Sequence, residues 1–205
     1  DSGVRSLVLS WYGGEPLLCL EIIESMSQRI IPMCEERSVA YRADIVTNGT
    51  KLNEAAVRIL KKAKVEDIQI TIDGDRATHD KRRPFKEGSG SSFDAILANL
   101  PHVAREVADV RIRINVDKSN LAAGTEFAST LHAEPWAKET GLSTYFGFVR
   151  SLTSSCKCID KDLMSVAEFH KADMEALRAL RPEEDDKPYP EVRPGGCVAT
   201  TLLGF

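Results

Sequence analysis

The stretch Asp67-Ile68-Gln69-Ile70-Thr71-Ile72-Asp73-Gly74 sets isoleucine at every second position and ends in an Asp-Gly turn signal. Successive side chains of an extended chain point to opposite faces, so this strand has one apolar face and one polar face. The same pattern returns where Val110, Ile112, Ile114 and Val116 alternate with Arg111, Arg113, Asn115 and Asp117. Ser6–Trp11, Ala43–Thr47 and Thr144–Arg150 are further strand-like runs. Helical patterns separate them. One opens near Pro16, a residue suited to the first helical position, and places Cys19, Ile22, Ile23, Met26, Ile30 and Cys34 on an expected core face. Asn53 caps a second, which turns Ala56, Leu60 and Ala63 inward, and Ser92–Arg105 forms a third.

Strands alternating with helices favour a parallel sheet or barrel. A parallel strand covered by crossover helices is normally apolar on both sides, so the polar faces imply a wet or ligand-filled interior. An antiparallel sheet with one solvated face would give the same alternation, but the intervening helices weigh against it. The expected fold is α/β, a half-open barrel with a polar bore.

With 205 residues, 42% of them hydrophobic, the chain can bury a real core. Its net charge of -4 and its interspersed acidic and basic residues disfavour nucleic-acid binding. No apolar run approaches the roughly 20 residues that cross a bilayer, and the expected location is cytoplasmic. The cysteines Cys19, Cys34, Cys156, Cys158 and Cys197 are odd in number, which points to reduced thiols or metal ligands rather than a disulfide framework. Periodicity is lost over Ser151–Lys161, a helix resumes around Ser165–Leu180, and an acidic, proline-rich linker runs from Arg181 to Pro194. The expected division is a barrel core over 1–151, a loop and helix over 152–181, and a linker leading to a further region over 182–205.

Gly13-Gly14-Glu15-Pro16 lies between the first strand and its helix, where glycines let a ligand approach the backbone and leave its peptide groups free. Taken alone it is a strand-to-helix turn. Thr47-Asn48-Gly49-Thr50 ends the next strand, and Thr71-Ile72-Asp73-Gly74 ends the third, ahead of His79-Asp80 and Arg82-Arg83. Singly these read as turns and a surface histidine. Together they stand at the C-terminal ends of successive strands, which a barrel gathers at one rim.

In that order, WYGGEPLL (11–18), TNGTKL (47–52), IQITIDGDRATHDKRRP (68–84) and VRIRINVDKSN (110–120) resemble the motifs of radical S-adenosylmethionine (radical SAM) enzymes. The nearest branch is that of the anaerobic sulfatase-maturating enzymes and peptide maturases, including those acting on ribosomally made peptides, whose SPASM domain holds auxiliary clusters. The resemblance implies a partial (βα)6 TIM-like barrel, with strands 2 to 6 present and the first missing.

It further implies that Gly13, Gly14 and Glu15, followed by Pro16, hold the amino group of S-adenosylmethionine mainly through backbone carbonyls, with Thr47 and Asn48 at the neighbouring strand end. Thr71 stands where the family usually has serine and would bond the cofactor carboxylate. Arg83, Arg113 and Asn115 would serve the carboxylate, the ribose or the substrate, and Asp73 either touches the cofactor or orients a neighbouring donor.

The family holds its catalytic [4Fe-4S] cluster with CxxxCxxC, a pattern this sequence does not contain. Cys156-x-Cys158 does not rebuild it, whereas Cys197, after Pro194-Gly195-Gly196, resembles the first ligand of an auxiliary cluster. The expectation is a piece of a maturase that reductively cleaves S-adenosylmethionine to abstract hydrogen from a peptide, the piece itself being inactive. Its free strand edge at Leu7–Trp11 would favour self-association. Two rivals are a degenerate barrel acting as a non-catalytic peptide-binding scaffold, and an ordinary barrel hydrolase or aldolase, for which no nucleophile elbow is present.

Overall fold

Strands β1 (Ser6–Trp11), β2 (Ala40–Thr47), β3 (Val65–Thr71), β4 (Asp109–Val116) and β5 (Leu142–Phe148) form one sheet in sequential order. Every neighbouring pair is parallel. The computed structural model describes residues 3–85, 90–107, 109–149 and 161–180. Among these the sheet does not close, so the fold is an open α/β partial barrel with β1 and β5 at its edges.

Each parallel pair needs a crossover, and helices supply it. A 3₁₀ turn over Pro16–Cys19 leads into α1 (Leu20–Glu36), and α2 (Glu54–Lys62) follows β2. The crossover after β3 holds α3 (Arg76–Arg82) and α4 (Ser92–Glu106); that after β4 holds α5 (Leu121–Ala133) and α6 (Pro135–Lys138). Finally, α7 (Val166–Leu180) packs on α5 and β5. Capping fixes two of the starts: Asn53 accepts the Ala56 N–H at 3.0 Å, and Ser91 accepts the Asp94 N–H at 3.0 Å.

The alternation decides which face of the sheet the helices cover. Ile68, Ile70, Ile72, Val110, Ile112, Ile114 and Val116 are buried, while Gln69, Thr71, Arg111, Arg113 and Asn115 on the other face are half-exposed. The apolar face therefore carries the core and the polar face the bore, as expected from the sequence. Gly124 lets α5 settle onto this core, because a Cβ there would lie 3.1 Å from Val116 Cγ1 and 3.2 Å from Ile114 Cγ2.

Helix α1 departs from expectation. Its inward residues are Ile23, Ser27, Ile31 and Cys34, whereas Cys19 is exposed and Ile22 and Met26 are 49% and 42% exposed. The cause is position at an edge: α1 leans toward β2 and α2, so its outer side, with Leu18, Ile22, Met26 and Met33, is covered by nothing among the described residues. The 3₁₀ turn also winds three residues per turn and takes Cys19 out of phase with α1. No helix among the described residues is long and apolar enough to cross a membrane.

Candidate functional site

Because all five strands run the same way, their C-terminal ends share one rim. At the β1–β2 end of that rim, Glu15 is fixed by the fold itself. Its Oε1 accepts the Thr47 hydroxyl at 2.6 Å and the Leu17 N–H at 3.1 Å, and its Oε2 accepts the Asn48 N–H at 2.7 Å. Thr47 in turn accepts the Gly49 N–H at 3.0 Å and is buried, so its hydroxyl serves the loop and not the bore. Asn48 Oδ1 is also spent locally, on the N–H and hydroxyl of Thr50 at 2.9 and 2.7 Å. Thr47 and the Glu15 carboxylate thus tie two loops together, and the Thr47 hydroxyl is engaged within them.

Gly13 and Gly14 differ from this anchored pair. No described residue lies within 4 Å of a Cβ built on either, and Gly13 has φ of +147°, in the region that favours glycine. A hollow of about 170 Å³ adjoins them, lined by Trp11, Tyr12, Glu15, Pro16, Cys19 and Ile22 among others. Trp11 Nε1 is buried there without a hydrogen-bond partner among the described residues.

At the β3–β4 end the polar groups engage one another. Asp73 Oδ2 accepts Arg83 Nε at 2.8 Å, and Asp73 Oδ1 is buried with no partner in the described structure. His79 is buried, not on the surface as its sequence context suggests, and its Nδ1 accepts the Asp73 N–H at 3.1 Å. Burial lowers the His79 pKa below the usual imidazole value, against the opposing charge of Asp73. The ring is therefore held neutral as a backbone acceptor. Neighbouring Arg82 reaches Asp117 Oδ2 at 2.6 Å, and Asn120 Nδ2 donates to the carbonyls of Asp73 and Asn115, both at 3.0 Å. Asn120 Oδ1 also accepts the Asp117 N–H at 2.8 Å. These residues border a cleft of about 640 Å³ that Asp73, Thr78, Lys81, Asn115 and Ser119 also line.

Across the polar face, Asp67 receives Arg111 through two contacts, Nε to Oδ1 at 2.9 Å and Nη2 to Oδ2 at 2.6 Å. Burial raises the Asp67 pKa above the usual carboxylate range, and Arg111 offsets part of that rise. The Tyr145 hydroxyl donates to Gln69 Oε1 at 2.7 Å, Ser10 donates to Asp44 at 2.9 Å, and Arg113 Nε donates to Asn115 Oδ1 at 2.9 Å.

Of the residues expected to form the site, Thr71 and Arg113 are register partners on the bore face, Asn115 and Asp73 line one cleft, and Gly13, Gly14 and Pro16 share the opening loop. Arg83 is engaged by Asp73. Arg82, Asp117 and Asn120 were not expected: each is an ordinary polar residue in sequence, and only the packing of the α3 and α5 crossovers joins them. Cys156, Cys158 and Cys197 lie outside the described residues.

A parallel partial barrel with polar groups at its strand ends defines the class as α/β. No protein-family model matches the chain. Among curated proteins it is similar to the Fe-coproporphyrin III synthase of Methanosarcina barkeri, with 30% identity over 57% of this chain and 26% of that protein. It is also similar to the serine-type anaerobic sulfatase-maturating enzyme of Klebsiella aerogenes, with 26% identity over 59% of this chain and 29% of the relative. In fold it is similar to native anSMEcpe with bound AdoMet and Cp18Cys peptide. That match has a TM-score of 0.68 and 16% identity, and covers 88% of this chain and 48% of the solved one. The chain spans under a third of the length of these two curated relatives and about half of the solved chain. The resemblance to radical SAM enzymes, first carried by the motifs, holds in sequence and in fold.

Proposed function

We propose that this chain is the S-adenosylmethionine-binding barrel core of a radical SAM oxidoreductase that matures a peptide or protein. The observation that carries the reading is the open Gly13–Gly14 loop on the same rim as Thr71, Asp73 and Asn115. Residues present fit the cofactor. Unfilled space above two glycines suits an approaching ammonium group, and the unpartnered Asp73 Oδ1 suits a ligand donor. In this reading Gly13 and Gly14 offer backbone groups, Pro16 fixes the exit of their loop, and Thr71, Asn115 and Asp73 orient the ligand's polar end. Arg83 holds the Asp73 carboxylate in place through its Nε contact to Oδ2. When bound, S-adenosylmethionine supplies radical chemistry through reductive cleavage of its sulfonium–carbon bond.

A [4Fe-4S] cluster does not fit the described residues, which contain no group of three or more His, Cys, Asp or Glu able to hold a metal. The full sequence has no CxxxCxxC. We therefore place the catalytic cluster's ligands outside these 205 residues, assign Cys197 to an auxiliary SPASM cluster of the longer protein, and expect the chain alone to be inactive. Titration calorimetry of the chain with S-adenosylmethionine is expected to give weak, saturable binding that Gly14→Ala reduces about tenfold, equal to ~1.4 kcal/mol. Dithionite is expected to release no 5′-deoxyadenosine from the chain. Absence of binding would end the cofactor assignment, and release of 5′-deoxyadenosine would end the assignment of the cluster ligands.

A further inference from the structure

The backbone of Asp73 is held from two sides. Its N–H goes to His79 Nδ1 at 3.1 Å, and its carbonyl accepts Asn120 Nδ2 at 3.0 Å. Gly74, with φ of +103°, turns the chain toward α3, and a Cβ on it would lie 3.5 Å from the Gly124 nitrogen, so the turn is seated against α5.

His79 is the part of this clamp that can change. It is 1% exposed, and α3 fixes its backbone: its N–H goes to the Asp75 carbonyl at 2.8 Å and its carbonyl accepts the Arg83 N–H at 2.7 Å. Next to it, Asp80 Oδ1 accepts the Phe93 N–H at 3.0 Å, which ties α3 to the start of α4. The Phe93 ring then stands 6.0 Å from the imidazole, which has little room to swing. Asp73 and Asp80 favour a proton on the imidazole, Arg83 opposes one, α4 brings the uncharged Phe93 ring, and burial outweighs the two carboxylates.

An imidazole accepts at Nδ1 only while it is neutral, with its proton on Nε2. A second proton turns Nδ1 into a donor that faces the Asp73 N–H, another donor. The bond is lost, and a cation now stands beside the Asp73 carboxylate. That carboxylate is drawn toward the ring, away from Arg83 and from the cleft it lines.

We infer that His79 is a positioning residue for the cleft: its neutral ring holds Asp73 in the pose that receives a ligand, and a proton on the ring releases that pose, so binding weakens in acid. The inference rests on the binding reading above. By linkage, a bound ligand favours the neutral ring, so the loss sets in as pH falls through the His79 pKa, below the usual imidazole value. The α-amino group of S-adenosylmethionine titrates at about 7.7–8.0, above that window.

The test is titration calorimetry of the 205-residue chain with S-adenosylmethionine at pH 7.0 and pH 5.0, with NMR shifts of the His79 ring nitrogens and the Asp73 carboxyl carbon followed over the same range without ligand. Kd is expected to rise at least about threefold in acid, and the Asp73 carboxyl carbon to move with the midpoint of the His79 ring. His79→Phe, which has a ring but no acceptor, should bind at least about fivefold more weakly at pH 7.0, with circular dichroism unchanged. His79→Asn, which keeps an acceptor and does not titrate, should recover most of that loss and show no fall toward pH 5.0. Should His79→Phe not fold, the pH profiles of the wild type and His79→Asn decide alone. A wild-type Kd that stays flat with pH, an acid dependence that survives in His79→Asn, or full affinity in His79→Phe overturns the inference. If S-adenosylmethionine binds while Asp73 does not follow the His79 ring, the positioning role fails and the binding reading stands. If Asp73 follows the ring and S-adenosylmethionine does not bind at either pH, the binding reading fails and the hold of His79 on Asp73 stands.

Discussion

The two ends of the rim treat their polar groups differently. At β3–β4, Asp73, Arg83, Arg82, Asp117 and Asn120 bond one another, with Asp73 Oδ1 left over, and lock the α3 and α5 crossovers together. At the β1 end of the rim, Glu15 is tied to the end of β2, while Gly13 and Gly14 face space unfilled by any described residue. Buried polar groups are costly unless paired, so the locked end reads as framework and the open end as room kept for a ligand. The contrast teaches that motifs equally rich in polar residues divide by what remains unpaired after folding.

The locked end gives the largest expected effect. Asn120→Ala removes three hydrogen bonds, those to the Asp73 and Asn115 carbonyls and that from the Asp117 N–H, a loss of about 3 kcal/mol that lowers Tm by roughly 6–12 °C in thermal melts. A loss under about 0.5 kcal/mol, the range of ordinary surface changes, would mean that the network is not framework. Glu15→Gln keeps the shape of the tie but trades a charged acceptor for a neutral one, and should cost about 1.5 kcal/mol, or roughly 3–6 °C. Were Glu15 instead reserved for a ligand, melts would be unmoved and only binding would suffer.

Smaller still is a pH effect at the locked end. The folded state lowers the His79 pKa, so below the unfolded value of 6.5 the unfolded chain binds the extra proton and the fold does not. The contribution is fully present above that value and is lost as pH falls through the folded pKa. Tm should therefore drop between pH 7.5 and pH 5.5, and His79→Asn, which keeps an acceptor for the Asp73 N–H, should flatten that drop. An unchanged slope would place the titration elsewhere. The smallest stability effect belongs to Gly14→Ala, within about 0.5 kcal/mol because its Cβ meets nothing, even though ligand binding should fall about tenfold. A large fall in Tm there would erase the distinction between the ends.

Much of this was legible in the chain. Period-two isoleucine and valine over residues 68–72 and 110–116 required strands with unlike faces, Asn53 marked one helix start, and Ser92–Arg105 was read as another helix. Strand ends at Gly13, Thr47 and Asp73 foretold a common rim once the connections were helical. The face of α1 was misread because sequence periodicity finds a stripe without knowing which neighbour exists to cover it. The helix over 121–133 was missed because Gly124 and its Ala, Ser and Thr neighbours blur the apolar period, although Gly124 is what lets that helix approach β4.

What the sequence determined by itself was local: the alternation of faces, the order of strands and helices, and the residues available at each strand end. Tertiary structure decided the partners, and with them the roles. Glu15 found Thr47, Asp73 found Arg83, and Arg82 found Asp117. The physical reason is that pairing energies depend on distances between groups some 10 to 47 residues apart in the chain, and only the packing of crossovers on the sheet sets those distances.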